Sequence, residues 1–277
     1  MIKIGMSTSS VYPLSTANAF RLAKAARFDG LEIMVTVDPV TQDAAALLAL
    51  SARYNLPILS VHAPVLVFSQ LVWGTDPLRK LTKSAELAAA VGANTVVVHP
   101  PFRWEPRYAR VFESTIRELA ATYGGEMAVE NMFPLRFGGL TVRAQSPSSD
   151  PVFIDCDAIT LDFSHAALAG RDSLEFAMAM GDRLRHVHLT DGTVAMGEGK
   201  LLDDEHLVPG RGTQPVAEVL QYLATRKWKG SLIAEVNTRS CNSDDERLAM
   251  LGETRDFAVA QLKAGKRARK SRTAKVS

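Results

Sequence analysis

Histidine and carboxylate side chains recur at the ends of short apolar segments of this chain. All six histidines lie on or just after such segments, which read SVHAP, VVVHPP, LDFSHA, RHVHLTD and LDDEHLVPGRG. Two further segments, AVENM and IAEVN, carry a lone glutamate near their ends. Imidazole and carboxylate groups are ligands that zinc, manganese and iron(II) accept in proteins. The pattern therefore predicts a metal site, and it contains enough donors to bind several ions.

Eight short apolar segments have the composition of β-strands, and helical patterns lie between most of them. The strand segments are residues 2–6, 31–35, 58–62, 95–99, 127–131, 158–163, 186–189 and 232–236. The helical patterns cover residues 76–92, 107–123, 215–226 and 243–264. The first helix is the clearest, because Asp76 can cap it, Pro77 suits its first turn and Gly92 can end it. Such alternation predicts a parallel sheet closed as a single (β/α)8 TIM barrel over residues 1–264.

The carboxyl ends of barrel strands meet at one mouth, where barrel enzymes carry their active sites. Two segments rich in Gly, Pro, Ser and Asp, residues 134–157 and 192–213, follow strand ends and are predicted to be functional loops. We expect nine donors to converge at this mouth: His62, His99, Glu130, Asp162, His165, His188, Asp204, His206 and Glu235. The two cysteines, Cys156 and Cys241, form no C-x-x-C pair, which excludes a zinc ribbon and a disulfide framework.

Two local motifs make the pattern more specific. D-x-x-H at Asp162 and His165 is followed on the next strand by H-x-x-D at His188 and Asp191. With the other strand-end residues, these motifs resemble the xylose isomerase-like TIM barrel superfamily, also called AP endonuclease family 2. The resemblance runs from the first strand to about residue 264 and implies an active site at the C-terminal ends of the strands. Two branches of the superfamily are relevant, and they imply different reactions.

The endonuclease IV branch implies a trinuclear zinc phosphodiesterase that acts on abasic DNA. The ligands of its first zinc correspond to His62, His99 and Glu130. Glu130 would bridge to a second zinc, whose other ligands correspond to Asp162, His188 and Glu235. The ligands of the third zinc correspond to His165, Asp204 and His206. All nine positions hold the residue type that this branch implies.

The branch of sugar-phosphate isomerases and epimerases implies one divalent ion bound beside a small sugar or sugar phosphate. The ligands of that ion correspond to Glu130, Asp162, His188 and Glu235. In this branch the two glutamates also move protons at adjacent carbons, so Glu130 and Glu235 are the predicted catalytic residues. The predicted cofactor is a divalent metal, either zinc, as up to three ions, or manganese.

The DNA-binding features that endonuclease IV needs are weak in this chain. Enzymes that penetrate a DNA groove insert apolar or aromatic side chains and present Arg or Lys to phosphates. The loop after His62 contains Phe68 and Trp73 but no basic residue before Arg79, and it has Val65 where endonuclease IV typically presents an aromatic residue. We therefore favour a metal-dependent isomerase or epimerase with a sugar substrate, and keep the phosphodiesterase as the alternative. A non-catalytic barrel is a third hypothesis, which the filled ligand set disfavours.

Three further polar residues are expected to support the metal ligands. Glu32, on the second strand, is a candidate to orient a ligating histidine. His186 lies two residues before His188, so it should face the same side of its strand one layer deeper. Asp191 is expected to hold either His188 or a loop amide. Arg211, in PGRG, and Trp104 are candidates for contact with the substrate, although Arg211 is equally compatible with an exposed loop arginine.

Simpler interpretations of the predicted ligands stay open from the residues alone. Glu130 and Glu235 could each be a buried acid paired with an arginine, which would also satisfy a charge that is costly to bury. A single strand-end histidine such as His62 or His99 could bond the backbone without binding metal. Asp204 lies in an acidic D-D-E run of a kind that is usually solvated.

The basic charge of the chain is concentrated at its C-terminal end. The net charge is +2, but seven basic residues and no acid follow residue 262, which leaves 25 basic and 30 acidic residues before them. Residues 265–277 are predicted to be a disordered basic tail, either a solubilising extension or a nonspecific nucleic-acid contact. The N-terminal segment lacks the pattern of a signal peptide, and no apolar run is long enough to span a membrane. We therefore predict a cytoplasmic protein.

Overall fold

The computed structural model describes residues 2–64, 71–137, 140–193 and 204–276, with side chains for all of these except 135–141 and 272–276. Ten strands form within these ranges: β1 (Lys3–Ser7), β2 (Leu31–Met34), β3 (Ile58–His62), β4 (Thr95–Val98), β5 (Glu126–Glu130), β6 (Leu135–Phe137), β7 (Leu140–Val142), β8 (Ala158–Asp162), β9 (Leu184–Leu189) and β10 (Ser231–Ala234). Eight of them pair in parallel and close in the order β1-β10-β9-β8-β5-β4-β3-β2. The prediction of a (β/α)8 barrel is confirmed.

The helices surround this barrel. Those in the described ranges are α1 (Thr16–Ala25), α2 (Ala44–Tyr54), α3 (Pro77–Val91), α4 (Pro106–Tyr123), α5 (Phe163–Leu168), α6 (Ser173–Met180), α7 (Val216–Thr225) and α8 (Asp244–Val276). Helix α3 has the predicted ends: the Asp76 carboxylate accepts a hydrogen bond from the amide of Leu78, Pro77 is the first residue, and Gly92 adopts a left-handed φ of 73°. None of the described helices combines the length and apolar character needed to cross a membrane.

One apolar cluster joins the strands to the helices. It contains strand residues such as Met6 and Ile33, and helix residues such as Phe20 and Phe112, all fully buried. Burial of a large apolar side chain contributes about 1.5–3 kcal/mol relative to its exposure. The cluster therefore packs the helices against the barrel, and because the barrel strands are parallel their carboxyl ends form one mouth.

The connection between β5 and β8 contains more regular structure than its composition predicts. Strands β6 and β7 pair in an antiparallel hairpin, with Leu135 opposite Val142. A short 3-10 helix follows at Pro151–Phe153, where the side chain of Asp150 accepts from the amide of Val152. Backbone hydrogen bonds within the segment produce this order, although the segment has no apolar periodicity to predict it. The second predicted loop is described only at its two ends, because residues 194–203 lie outside the described residues.

Helix α8 differs from the prediction of a disordered tail from residue 265, since it continues to Val276. Gly265 lies against α7, where an added Cβ would overlap the carbonyl oxygen of Gln221. The guanidinium of Arg269 donates to the carbonyl oxygen of Ala224 at 3.3 Å. Lys, Arg and Ala are good helix formers, and extension of an existing helix avoids the cost of nucleation. The basic segment therefore continues the helix.

Candidate functional site

Six of the nine predicted donors lie where strands reach the mouth of the barrel. His62, Glu130 and Asp162 are the last residues of β3, β5 and β8. His188 is the penultimate residue of β9. The remaining two of the six directly follow β4 and β10, and these are His99 and Glu235. Because all these strands are parallel, their last side chains converge at one end of the barrel.

Glu130 is the centre of the first group of contacts. Its carboxylate is 1% exposed. Its Oε2 lies 2.8 Å from Nε2 of His99 and 3.3 Å from Nε2 of His62, and its Oε1 lies 2.9 Å from Nδ1 of His188. Nδ1 of His165 also lies 3.4 Å from Oε1, so a single carboxylate contacts four imidazole rings.

A second group of contacts surrounds Nδ1 of His188. This nitrogen lies 3.0 Å from Oε2 of Glu235 and 3.5 Å from Oδ2 of Asp162. The other Asp162 oxygen accepts the amide of His165 at 2.8 Å, whereas Oδ2 is buried and has no hydrogen-bond partner among the described residues. A buried carboxylate oxygen without a partner is costly, and it faces a ring nitrogen and a second carboxylate. A cation between them would satisfy all three groups.

A third group of contacts is built around Asp204, in the segment that returns to the mouth before α7. Oδ2 of Asp204 lies 2.8 Å from Nε2 of His206 and 3.1 Å from Nε2 of His165. An isolated bridge between Asp191 and Leu207 anchors this segment to the end of β9. His206 has a left-handed φ of 44°, an uncommon conformation that its hydrogen bonds to Asp204 and to the carbonyl oxygen of Glu235 hold in place.

The site is a network of buried carboxylates and imidazoles, and burial and the neighbouring charges together shift the pKa values of these groups. Burial opposes ionisation of Glu130, but the charges of His188 and His99 outweigh burial and hold the pKa of Glu130 well below its usual range. Burial disfavours the charged form of His206, yet Asp204 outweighs it and raises the pKa of His206 to about 10. For His99 burial prevails over the attraction of Glu130, so its pKa is lowered. Metal binding to such rings must displace protons.

The donor set fits a divalent metal ion. Within the part of the chain that the structure describes, four groups of three donors have ligand atoms within 4.8 Å of one another. The groups are Glu32, His186 and His188; His62, Glu130 and His188; Asp162, His165 and His206; and Asp162, His188 and Glu235. All are imidazoles and carboxylates, the ligand types of zinc, manganese and iron(II), and they are buried or half-buried. These residues could hold a metal ion.

The predicted supporting residues lie beneath and beside the donors. Glu32 is fully buried and accepts hydrogen bonds from Nε2 of His188 at 3.2 Å, Nε2 of His186 at 2.9 Å and Oγ of Ser60 at 2.8 Å. The Asp191 carboxylate does not contact His188 but accepts from backbone amides in the segment after β9. These are the amides of Gly192, Gly210, Gly212 and Gln214.

The two predicted substrate contacts have different positions. Arg211 is exposed and its guanidinium pairs with Glu253 of α8 at 2.5 Å, so the structure does not bring it to the donors. Trp104 stacks on Phe102, with ring centroids 4.5 Å apart, and lines a cleft of about 330 Å³ that also borders His99. Val65 and Phe68, the loop residues that bear on DNA binding, lie outside the described residues.

Sequence reasoning missed several polar residues that orient the donors. The Ser9 hydroxyl donates to Oε1 of Glu235 at 2.8 Å. The Asn131 side chain bonds the Asp162 backbone twice, accepting from its amide at 2.7 Å and donating to its carbonyl at 3.0 Å. The Ser164 hydroxyl donates to Oδ1 of Asp204 at 2.6 Å. Their positions near strand ends in the sequence could have identified them, but Ser and Asn are too common at such positions to be singled out.

Comparison with known proteins extends over nearly the whole chain. The family model described as xylose isomerase-like TIM barrel matches residues 20–258. An uncharacterized protein of Mycobacterium tuberculosis is 47% identical over 280 residues, which cover 94% of this chain and 98% of the relative. Fructoselysine 3-epimerase of Escherichia coli is 21% identical over 262 residues, 87% of this chain and 92% of that protein. The crystal structure of a D-tagatose 3-epimerase-like protein is 25% identical with a TM-score of 0.65, covering 94% of this chain and 100% of that chain.

Proposed function

This chain belongs to the xylose isomerase-like TIM barrel family, and from that membership we propose that it is a divalent-metal-dependent epimerase or isomerase of a small sugar or sugar phosphate. The observation that carries the proposal is the approach of two buried glutamates, Glu130 and Glu235, to Nδ1 of His188 at 2.9 and 3.0 Å. The similarity to a fructoselysine 3-epimerase and to a D-tagatose 3-epimerase-like protein supports this class of reaction.

The two glutamates have the chemistry that epimerisation requires. Inversion at a carbon beside a carbonyl needs a base on one face of that carbon and an acid on the other. In this proposal one glutamate takes the proton from the carbon, and the other returns a proton to the opposite face. Glu130 belongs to β5 and Glu235 follows β10, and these strands lie on opposite sides of β9 in the barrel order. The two carboxylates therefore reach His188 from different sides.

We propose zinc or manganese as the ion, with four residues as its ligands: Glu130, Asp162, His188 and Glu235. When bound, the ion supplies Lewis-acid polarisation of the carbonyl and hydroxyl oxygens of the sugar. The chain's own residues keep the ligands in position, because Ser9 restrains Glu235 and Asn131 restrains the backbone of Asp162. The remaining donors could hold up to two more ions, and they are His62, His99, His165, Asp204 and His206.

The test is exchange of a sugar proton with solvent. The full chain, loaded with Mn²⁺ or Zn²⁺, is incubated in D₂O with D-tagatose, D-fructose and their phosphate esters, and NMR follows deuterium entry beside the carbonyl. Glu235→Gln should lower the exchange rate about 10²–10⁴-fold, the usual contribution of a general acid or base. Glu118→Gln is the matched control, because Glu118 is exposed on α4. Full exchange and full metal load in Glu235→Gln would contradict the role of Glu235.

One observation favours a second candidate function, the trinuclear zinc phosphodiesterase. Asp204 bonds both His165 and His206, which completes a third cluster of donors that a single-ion epimerase does not need. Zinc analysis of the purified protein and incision of a duplex with one abasic site test this candidate together. Three zinc ions per chain with strand incision, and no sugar exchange, would reverse our order of the two functions.

A further inference from the structure

A second cavity is lined by residues from the segments that follow β4, β5, β7 and α5. Its volume is about 420 Å³. Three arginines from separate segments line it: Arg103 follows β4, Arg143 follows β7 and Arg171 follows α5. Asp150 is the only acidic residue among its described lining residues. This arginine cavity therefore carries a net positive charge, unlike the acidic body of the barrel.

Two of the three arginines are available to a ligand. The Arg171 guanidinium lies 2.9 Å from Oδ2 of Asp150 and 4.5 Å from the ring centre of Phe176, so it is already held. Arg103 and Arg143 are exposed and form no ion pair with any residue that the structure describes. A guanidinium presents planar paired donors that match phosphate and carboxylate oxygens. Among the described residues, the cavity thus offers two guanidinium groups that form no ion pair and are suited to one anion.

Gln145 gives an independent indication of a ligand in this cavity. It lines the cavity, is 5% exposed, and its Oε1 has no hydrogen-bond partner among the described residues. A buried polar atom without a partner costs about 1–3 kcal/mol. An amide oxygen is satisfied by a donor, such as a hydroxyl group. The combination of guanidinium groups and an unsatisfied acceptor suits an anion that also carries hydroxyl groups.

The arginine cavity is close to the proposed reacting centre. Met132, which lines it, is two residues after Glu130, a separation of at most about 7 Å along the chain. The amide of Met132 donates to the carbonyl oxygen of Ser149 at 2.8 Å, which ties the cavity wall to the end of β5. Ala169, on another side, donates its amide to the carbonyl oxygen of His165. A sugar bound at the glutamates could therefore place a substituent several bonds away in this cavity.

We propose that the arginine cavity binds an anionic group, phosphate or carboxylate, of the sugar substrate. The substrate class is then a phosphorylated or acidic sugar rather than a neutral one. This inference rests on the proposed function. It also replaces Arg211 as the arginine expected to contact the substrate, since the guanidinium of Arg211 pairs with Glu253.

The experiment uses the Mn²⁺-loaded full chain and compares D-fructose, D-fructose 6-phosphate and D-fructuronate in the deuterium exchange assay. The wild type should prefer at least one charged sugar by at least tenfold in kcat/KM. The double variant Arg103→Ala and Arg143→Ala should lose at least tenfold of that preference, and the double lysine variant should retain part of it. Arg110→Ala is the matched control, an exposed arginine of α4 outside the cavity. Circular dichroism checks that each variant is folded.

Calorimetry with inorganic phosphate separates this inference from the proposed function. We expect phosphate to bind the wild type, to compete with D-fructose 6-phosphate, and to bind the double alanine variant at least tenfold more weakly. Exchange of neutral sugar with no phosphate binding would overturn the anion site and leave the epimerase proposal intact. Phosphate binding that depends on the arginines, without exchange of any sugar, would overturn the epimerase proposal and the substrate role while the anion site stands. If phosphate alters the exchange rate without competing with D-fructose 6-phosphate, the cavity binds an effector instead of the substrate. That result would also overturn the substrate role.

Discussion

Replacement of Glu32 by glutamine is expected to weaken metal binding, although Glu32 is not one of the four proposed ligands. Its Oε1 accepts from Nε2 of His188 at 3.2 Å, while Nδ1 of the same ring faces the proposed ligands. A neutral imidazole carries its proton on one nitrogen only. The hydrogen bond to Glu32 therefore holds that proton on Nε2 and leaves the lone pair of Nδ1 for the metal.

The size of the effect follows from the three hydrogen bonds that Glu32 accepts. Oε2 serves two donors, His186 and Ser60, whereas Oε1 serves His188 alone. The glutamine oxygen should take the place of Oε2, so its NH₂ group faces His188 and favours a proton on Nδ1. Loss of one hydrogen bond to a charged group costs about 1.5–3 kcal/mol. Since about 1.4 kcal/mol corresponds to a tenfold change in binding constant, metal affinity should fall about ten- to a hundredfold.

The assay is a titration of metal-free protein with Zn²⁺ or Mn²⁺ in competition with a coloured chelator. Glu126→Gln is the matched control, because Glu126 begins β5 at the opposite end of the barrel and pairs with Arg185 at 3.4 Å at the surface. The control should bind metal as the wild type does. Wild-type affinity in a folded Glu32→Gln protein would refute the argument that Glu32 prepares His188 as a ligand.

Two further predictions concern the stability of the folded chain. Gly212→Ala should destabilise it by about 1–3 kcal/mol, because the new Cβ would overlap the Asp191 carboxylate and the carbonyl oxygen of Gly192. Urea denaturation measures the free energy of unfolding. Gly252→Ala is the control and should instead stabilise α8, because an added Cβ there meets no atom within 4 Å. Equal urea midpoints for the two variants would show that the overlap at Gly212 is absent. Removal of metal by a chelator should lower Tm, and metal restored at a hundred times its Kd should return about 2.7 kcal/mol. If Tm is unchanged by removal of the metal and by its return, the folded chain does not bind the ion more tightly than the unfolded chain does.

Much of the architecture was predictable because it depends on local pattern. Short β-branched runs that alternate with amphipathic helices indicate a (β/α)8 barrel, and Asp76, Pro77 and Gly92 mark the ends of α3 for stereochemical reasons. Parallel strands in a closed barrel share one mouth, so the clustering of strand-end histidines and carboxylates follows from the fold itself. The hairpin after β5 and the continuation of α8 were not predicted, because backbone pairing in one and packing on α7 in the other are not periodic features of the sequence.

Local sequence pattern thus sets which residue types reach the mouth, whereas the folded barrel sets which of them come into contact. His188 contacts three carboxylates and rests on a fourth, Glu32, only because barrel closure brings β2, β5, β8 and β10 around β9. Arg211 turns to Glu253 instead of the site, while three arginines far apart in the chain line one cavity. Strand register and loop path set these contacts, and both depend on how the whole barrel packs rather than on the spacing of neighbouring residues.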